Sequence, residues 1–268
     1  MNNSEFYKIK LSLEENLFND LLNSVEFETS GKGRLGNHLV KVDDKNIPIV
    51  RTTTRYSIPA FAFSDTHNKI VDVINETILT GNIEIPLQNF NNALIEVYDS
   101  SYSKMNFHSD QALDLADNSF IALFSCYENP DELEEFHLRK LIVKDKISNE
   151  EFEITLDHNS VVLFSLETNK KFQHKIILDS KLNSKIFTDN KWLGITFRTS
   201  KTYIQFKANL PYLSNGELFT LADKEQESEF FKLRGQENRA LDFVYPNLFY
   251  TISPGDILIP ENKNNHNI

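Results

Sequence analysis

The chain has 268 residues, 40% of them hydrophobic, with 21 phenylalanines and a formal net charge of −11, enough apolar material for one large domain. Eight glycines and eight prolines exclude a low-complexity protein, and the single cysteine, Cys126, excludes an intramolecular disulfide or a cysteine-rich zinc site. No basic segment followed by an apolar stretch opens the chain, and no apolar run is long enough to span a bilayer, so a soluble cytoplasmic protein without a membrane partner is expected. The acidity is local. Residues 109–160 hold four basic against thirteen acidic residues, around Asp131-Glu-Leu-Glu-Glu135 and Glu150-Glu-Phe-Glu153, and read as a solvated surface, whereas residues 161–200 are net basic.

In chain order, Ser12-Leu-Glu-Glu15 has the form of a capping box. Phe18, Leu21, Leu22 and Val25 follow at helical spacing, which predicts a helix over 13–25. Residues 30–56 carry Lys32, Arg34, Lys41, Lys45, Arg51 and Arg55 against Asp43 and Asp44, a candidate positive lip to a substrate site. Thr66-His-Asn-Lys-Ile70 leads into Val73, Ile74 and Ile78, a second helix. The pattern then changes to short β-type runs at 93–98, 120–124, 138–143, 152–156, 160–165, 175–178 and 192–197. Runs of this length between turn residues predict a mainly β fold, a barrel or sandwich with helices packed outside it. Residues 222–231 read as a polar helix and 250–259 as a turn and strand. This tail has too few apolar residues for a core of its own and is expected to pack on the β core, giving a single domain over 1–268. Arg234-Gly-Gln-Glu-Asn-Arg239 is polar enough to reach back over a site mouth.

The chemistry concentrates at Asn106-Phe-His-Ser-Asp110. On a strand, residues i and i+2 share a face, so His108 and Asp110 are placed to grip one metal ion from one side. His174, in Phe172-Gln-His-Lys-Ile-Ile-Leu178, supplies a third candidate ligand. Two imidazoles and one carboxylate leave positions for substrate and oxygen, as in non-haem Fe(II) oxygenases. Arg198, 24 residues beyond His174, offers a planar fork suited to a carboxylate, and the Tyr98 hydroxyl is placed to assist it. His38, His67, His137 and His158 have no partners at ligand spacing and read as structural. Cys126 reads as a buried small side chain, and Trp192 as core or, second, as lining of the pocket that takes the carboxylate.

Together, Ala93-Leu-Ile-Glu-Val-Tyr98, Asn106-Phe-His-Ser-Asp110, Phe172-Gln-His174 and Ile195-Thr-Phe-Arg198 resemble the AlkB-like branch of the Fe(II)/2-oxoglutarate-dependent dioxygenases. Ile47-Pro-Ile-Val-Arg-Thr-Thr-Thr-Arg-Tyr56 resembles the strand leading to that family's substrate lid, so the similarity covers about 45–206. The resemblance implies a double-stranded β-helix, or jelly roll, with residues 1–44 as lead-in and 207–268 as an extension. It implies that His108, Asp110 and His174 hold Fe(II), and that Arg198, with Tyr98, binds 2-oxoglutarate. With O2, 2-oxoglutarate is then converted to succinate and CO2 as a C–H bond is oxidised.

The chain departs from the family at three places. Trp192 stands where repair enzymes carry a second arginine, leaving Arg198 alone or with Ser200 or Lys191. Glu96 stands at an asparagine position, and Gln111-Ala112-Leu113 lacks the acidic residue that contacts a base. The expected activity is therefore hydroxylation of a small molecule, an amino acid or a protein side chain. The alternatives are oxidative demethylation of alkylated nucleic acid, drawing on the basic stretches with Lys170, Lys171 and Lys175, and a catalytically silent jelly-roll binding protein.

Overall fold

A computed structural model describes residues 5–103, 105–178 and 189–263. The elements run β1 (Phe6–Lys10), α1 (Phe18–Asn23), β2 (Glu28–Gly31), β3 (Arg34–Val40), β4 (Ile47–Ile49), β5 (Phe61–Ala62), α2 (Asp65–Thr80), β6 (Asn92–Tyr98) and β7 (Phe120–Tyr127). They continue with β8 (Arg139–Asp145), β9 (Glu151–Leu156), β10 (Ser160–Ser165), α3 (Leu166–Lys171), β11 (Phe172–Leu178) and β12 (Trp192–Arg198). The tail holds β13 (Thr202–Lys207), β14 (Leu210–Leu213), β15 (Thr220–Leu221), α4 (Lys224–Glu237) and β16 (Tyr250–Thr251).

The major sheet has the order β1-β10-β7-β12-β6-β3-β2, with β5 added beside β3; a minor sheet, β11-β8-β9, faces it to form a jelly-roll core. Alternation along each major strand sends one set of side chains to each face. On β6, β7 and β12 the outward set, including Ala93, Ile95, Phe124, Cys126, Leu193 and Phe197, packs on α1 and α2. The inward set, Tyr98, Ile121, Leu123, Tyr127 and Trp192, meets Leu141, Val143 and Ile176 of the minor sheet. Burial on both faces is why these strands read as continuous apolar runs. α2 presents Ile70, Ile74 and Ile78 on one stripe to the sheet, each side chain worth about 2 kcal/mol of burial. Its start is fixed by His67, whose Nδ1 accepts the Ser64 N–H at 2.9 Å.

The first helix is shorter than its spacing predicts. Residues 12–17 are not helical; Asn16 accepts the Phe18 N–H (3.1 Å) while its amide donates to the Glu128 carbonyl (2.9 Å), so a long-range contact rather than Ser12 sets the start. The segment around His108 is likewise not a strand. His108 forms an isolated bridge to His174, and Ser103 accepts the Leu178 N–H at 2.7 Å, so this loop runs along the free edge of β11.

The tail docks through Phe230, Leu248, Tyr250 and Ile252 and through polar contacts. Arg51 donates to the carbonyls of Leu248 (2.9 Å) and Tyr250 (3.0 Å), and Glu237 accepts the Ala112 N–H at 2.7 Å.

Candidate active site

The structure brings His108, Asp110 and His174 together, with one ligand atom from each within 4.8 Å of the others. Each comes from a differently secured piece of chain. His174 sits on β11, and its backbone exchanges two hydrogen bonds with His108, at 3.0 and 2.7 Å. Asp110 is clamped by Asn169 of α3, whose side chain accepts the Asp110 N–H and donates to its carbonyl, both at 2.8 Å. Ser109 between them gives its N–H to Asn238 (3.0 Å) and its hydroxyl to the Phe172 carbonyl (2.9 Å).

The protonation states suit metal binding. His108 Nδ1 lies 3.0 Å from the Asn106 carbonyl, which can only accept, so Nδ1 carries the proton and Nε2 keeps its lone pair. Burial, reinforced by His174, holds His108 down to about 3, so its ring is neutral at neutral pH. Burial alone would raise Asp110, but the adjacent Arg198 guanidinium outweighs it and holds the carboxyl far below the usual range. Asp110 divides its oxygens: Oδ2 accepts from Arg198 Nε (2.9 Å) and Nη2 (2.8 Å), while Oδ1 lies 3.6 Å from His174 Nε2.

The three groups line a small chamber of about 70 Å³, walled by Leu94, Leu123, Leu141, Phe164 and Ile176. Its charged lining is Arg34 and Arg198 with Glu96 and Asp110. It adjoins an open cleft of about 530 Å³, rimmed by Thr52, Thr53, Thr54, Phe107, Gln111, Arg234 and Asn238. Among the described residues, Arg198 Nη1 is buried with no hydrogen-bond partner, as are both amide atoms of Gln111.

Not every sequence candidate is equally close. Tyr98 is fully buried and donates its hydroxyl to Glu96 Oε2 at 2.8 Å. Ser200 is turned away: its hydroxyl donates to the Ile49 carbonyl (2.5 Å) and accepts the Thr202 N–H (3.1 Å), securing β4 against β13. Lys191 pairs with Glu128 at 3.4 Å. Trp192 is core, its indole N–H on Ser125 Oγ at 2.6 Å and its ring filling the space a side chain at Gly194 would need. Of the basic stretch 30–56, Arg34 and the three threonines reach the cleft, whereas Arg51 is buried against Asp114. The other histidines read as structural from the sequence are so among the described residues: His38 packs edge-on to Tyr56, and His137 and His158 accept backbone N–H groups. Asn169, Arg234 and Asn238 carry no motif. Only the polarity of 234–239 pointed to the last two.

Family comparison places residues 13–198 within the model of the 2OG-Fe(II) oxygenase superfamily. No curated protein matches the chain. Among solved structures, OsALKBH1 is 16% identical with a TM-score of 0.49, covering 73% of this chain and 98% of its own. A prolyl-4-hydroxylase of Pseudomonas putida is 12% identical with a TM-score of 0.42, covering 73% and 92%. With the family match spanning most of its length and enclosing all three candidate ligands, the chain belongs to the 2OG-Fe(II) oxygenase superfamily, as a dioxygenase that works with Fe(II), 2-oxoglutarate and O2.

Proposed function

We propose that the protein oxidises a C–H bond of a small molecule, an amino acid or a protein side chain held in the open cleft, with His108, Asp110 and His174 as the metal ligands. The observation that carries this reading is the two-imidazole, one-carboxylate cluster lining a small chamber beside an arginine nitrogen with no partner among the described residues. A hard, ionised carboxylate, the neutral His108 imidazole and the second imidazole of His174 fit a divalent first-row metal, and the unpartnered Arg198 Nη1 fits an incoming carboxylate. Bound there, Fe(II) and 2-oxoglutarate would supply the chemistry with O2 as the oxidant, one oxygen atom going to the substrate C–H bond and the other to the succinate that leaves with CO2.

The chain's own part is positioning and shielding. Asn106 orients the His108 ring, Asn169 fixes the backbone of Asp110, and Arg198 holds Oδ2 so that Oδ1 faces the imidazoles. The apolar side chains of the chamber wall, Leu123, Leu141, Phe164 and Ile176, limit the water that reaches the three groups.

The charge of the cleft favours a substrate other than nucleic acid. Each of its arginines is matched by a carboxylate: Arg34 by Glu96, Arg198 by Asp110 and Arg234 by Glu237. One feature favours the second reading, a demethylase of alkylated nucleic acid. Lys175 and Lys144 lie over the Phe107 ring at the cleft, 4.0 and 5.5 Å from its centroid, a combination suited to stacking a base beside a phosphate. No helix among the described residues is long and apolar enough to cross a membrane.

Anaerobic calorimetry with Mn(II) as a redox-quiet stand-in, then 2-oxoglutarate, tests the core of the proposal. Metal binding in the wild type that His108→Ala abolishes is expected, and equal binding by both would overturn the ligand assignment. Oligonucleotide affinity falling steeply with salt would favour the second reading; salt-independent turnover of peptides or metabolites would favour the first.

A further inference from the structure

We propose that Arg34, on β3, anchors the remote carboxylate of 2-oxoglutarate, sharing its guanidinium with a resident carboxylate, Glu96, whose other oxygen the Tyr98 hydroxyl holds. This rests on the metal and cosubstrate assignment above.

The first support is register. Across the inward face of the major sheet, Arg34 of β3 lies beside Tyr98 of β6, which lies beside Trp192 of β12. At this level β12 supplies no charge, because Trp192 gives its one polar atom to Ser125. A second cation is near but occupied. Arg139 stacks over Tyr98 at 5.0 Å, yet its Nη1 and Nη2 donate to the carbonyls of Tyr102 (2.6 Å) and Asp99 (2.7 Å), and it does not line the chamber. Arg34 lines both the chamber and the open cleft, so it stands where a small dianion would pass and lodge.

The second support is that this corner already holds a carboxylate. Arg34 Nε donates to Glu96 Oε1 at 2.7 Å, Nη2 contacts the same oxygen, and the Tyr98 hydroxyl donates to Oε2 at 2.8 Å. A guanidinium has five donors, so the one fork can serve two carboxylates, as the Arg198 fork is placed to do with Asp110 and the cosubstrate's other end.

The third support is charge. In the chamber the charges of two arginines and two carboxylates cancel. A divalent metal and a dicarboxylate enter as a neutral pair and keep that balance. 2-Oxoglutarate alone would bring two unmatched negative charges into a buried space, so its binding should depend on the metal, and Glu96 is the residue that enforces this dependence.

The experiment uses the full chain with Mn(II) under anaerobic conditions. Binding is read by calorimetry and by the fluorescence of Trp192, the sole tryptophan, whose ring lies 4.8 Å from Tyr98. 2-Oxoglutarate is compared with 2-oxobutyrate, which lacks the remote carboxylate. The wild type should prefer 2-oxoglutarate by about 30-fold or more, a charge-assisted, partly buried contact. Arg34→Met should keep Mn(II) affinity within about threefold, since it touches no ligand, and lose most of the preference; Arg34→Lys should recover part of it. Glu96→Gln should let 2-oxoglutarate bind without metal, narrowing the ratio of its affinities with and without Mn(II). A preference unchanged in Arg34→Met, or both acids weakened equally, overturns the anchor. An unchanged ratio in Glu96→Gln overturns the role of Glu96. Failure of the wild type to bind Mn(II) would instead sink the metal-site reading on which the inference rests.

Discussion

Two buried aspartates four residues apart on one loop, Asp110 and Asp114, each pair with an arginine, and the two pairs are built differently. Arg51 and Asp114 form a closed unit: Asp114 accepts from the Arg51 backbone N–H (2.7 Å), Nε (3.0 Å) and Nη2 (2.7 Å), and Nη1 is spent on the carbonyls of Leu248 and Tyr250. Arg198 and Asp110 form an open one, with Nη1 unpartnered and Oδ1 facing only an imidazole at 3.6 Å. An unsatisfied buried donor costs about 1–3 kcal/mol, so a fold keeps one where something else is to be bound. The closed pair ties the tail to the β core, and the open pair faces the chamber.

Breaking the closed pair should have the largest effect on stability. Asp114→Ala leaves Arg51 charged, buried and unpaired, and should cost about 3–5 kcal/mol by urea denaturation, loosening the 248–250 segment as seen by hydrogen exchange. A loss below 1 kcal/mol would mean that the pair is not the clamp its geometry indicates. Asp110→Asn should invert the pattern. It keeps shape and one acceptor for Arg198, so the metal-free protein should lose less than the Asp114 variant, while Mn(II) affinity falls by about 100-fold or more. Thermal stabilisation by excess metal follows from the same site. At about 100 times the dissociation constant the wild type should gain about 2.7 kcal/mol, removable by chelator, and Asp110→Asn should gain almost nothing at that concentration. A smaller effect is expected of Arg198→Lys, which keeps a charge near Asp110 but loses the planar fork. Mn(II) binding should persist while 2-oxoglutarate affinity drops by about tenfold.

What the sequence made legible follows the range of the interactions involved. The strands of the major sheet were visible because burial on both faces writes continuous apolar runs such as 120–124 and 192–197. The cluster was visible because His108 and Asp110 are neighbours in sequence, although the strand expected to align them is a loop pinned by Asn169 and by the bridge to His174. The start of α1 was missed because Asn16 answers to Glu128, 112 residues away. Arg34 appeared only as one of six basic residues in 30–56. Its place beside Tyr98 is set by cross-strand register, which no local pattern encodes. Asp110 and Asp114 likewise look alike in sequence, and the tail segment that closes one pair lies more than 130 residues downstream.

The finest test of the closed pair comes from its neighbour Asp256. Its carboxylate accepts the Thr251 hydroxyl at 2.5 Å, and burial, with Asp114 close by, pushes it up to about 7 against the pull of Thr251 and Arg51. Between the ordinary carboxylate range near 4 and about 7, the native state keeps this proton while the unfolded chain releases it. The native state therefore binds more protons there, and this group's contribution to stability falls as pH rises, reaching its full penalty above 7. Asp256→Asn stays neutral and keeps the acceptor for Thr251, so it should match the wild type near pH 4 and exceed it by on the order of 2 kcal/mol at pH 8. A difference between the two proteins that stays flat from pH 4 to 8 would show that Asp256 is ionised throughout, its charge shared by Arg51. The closed pair would then be a three-membered cluster rather than a pair.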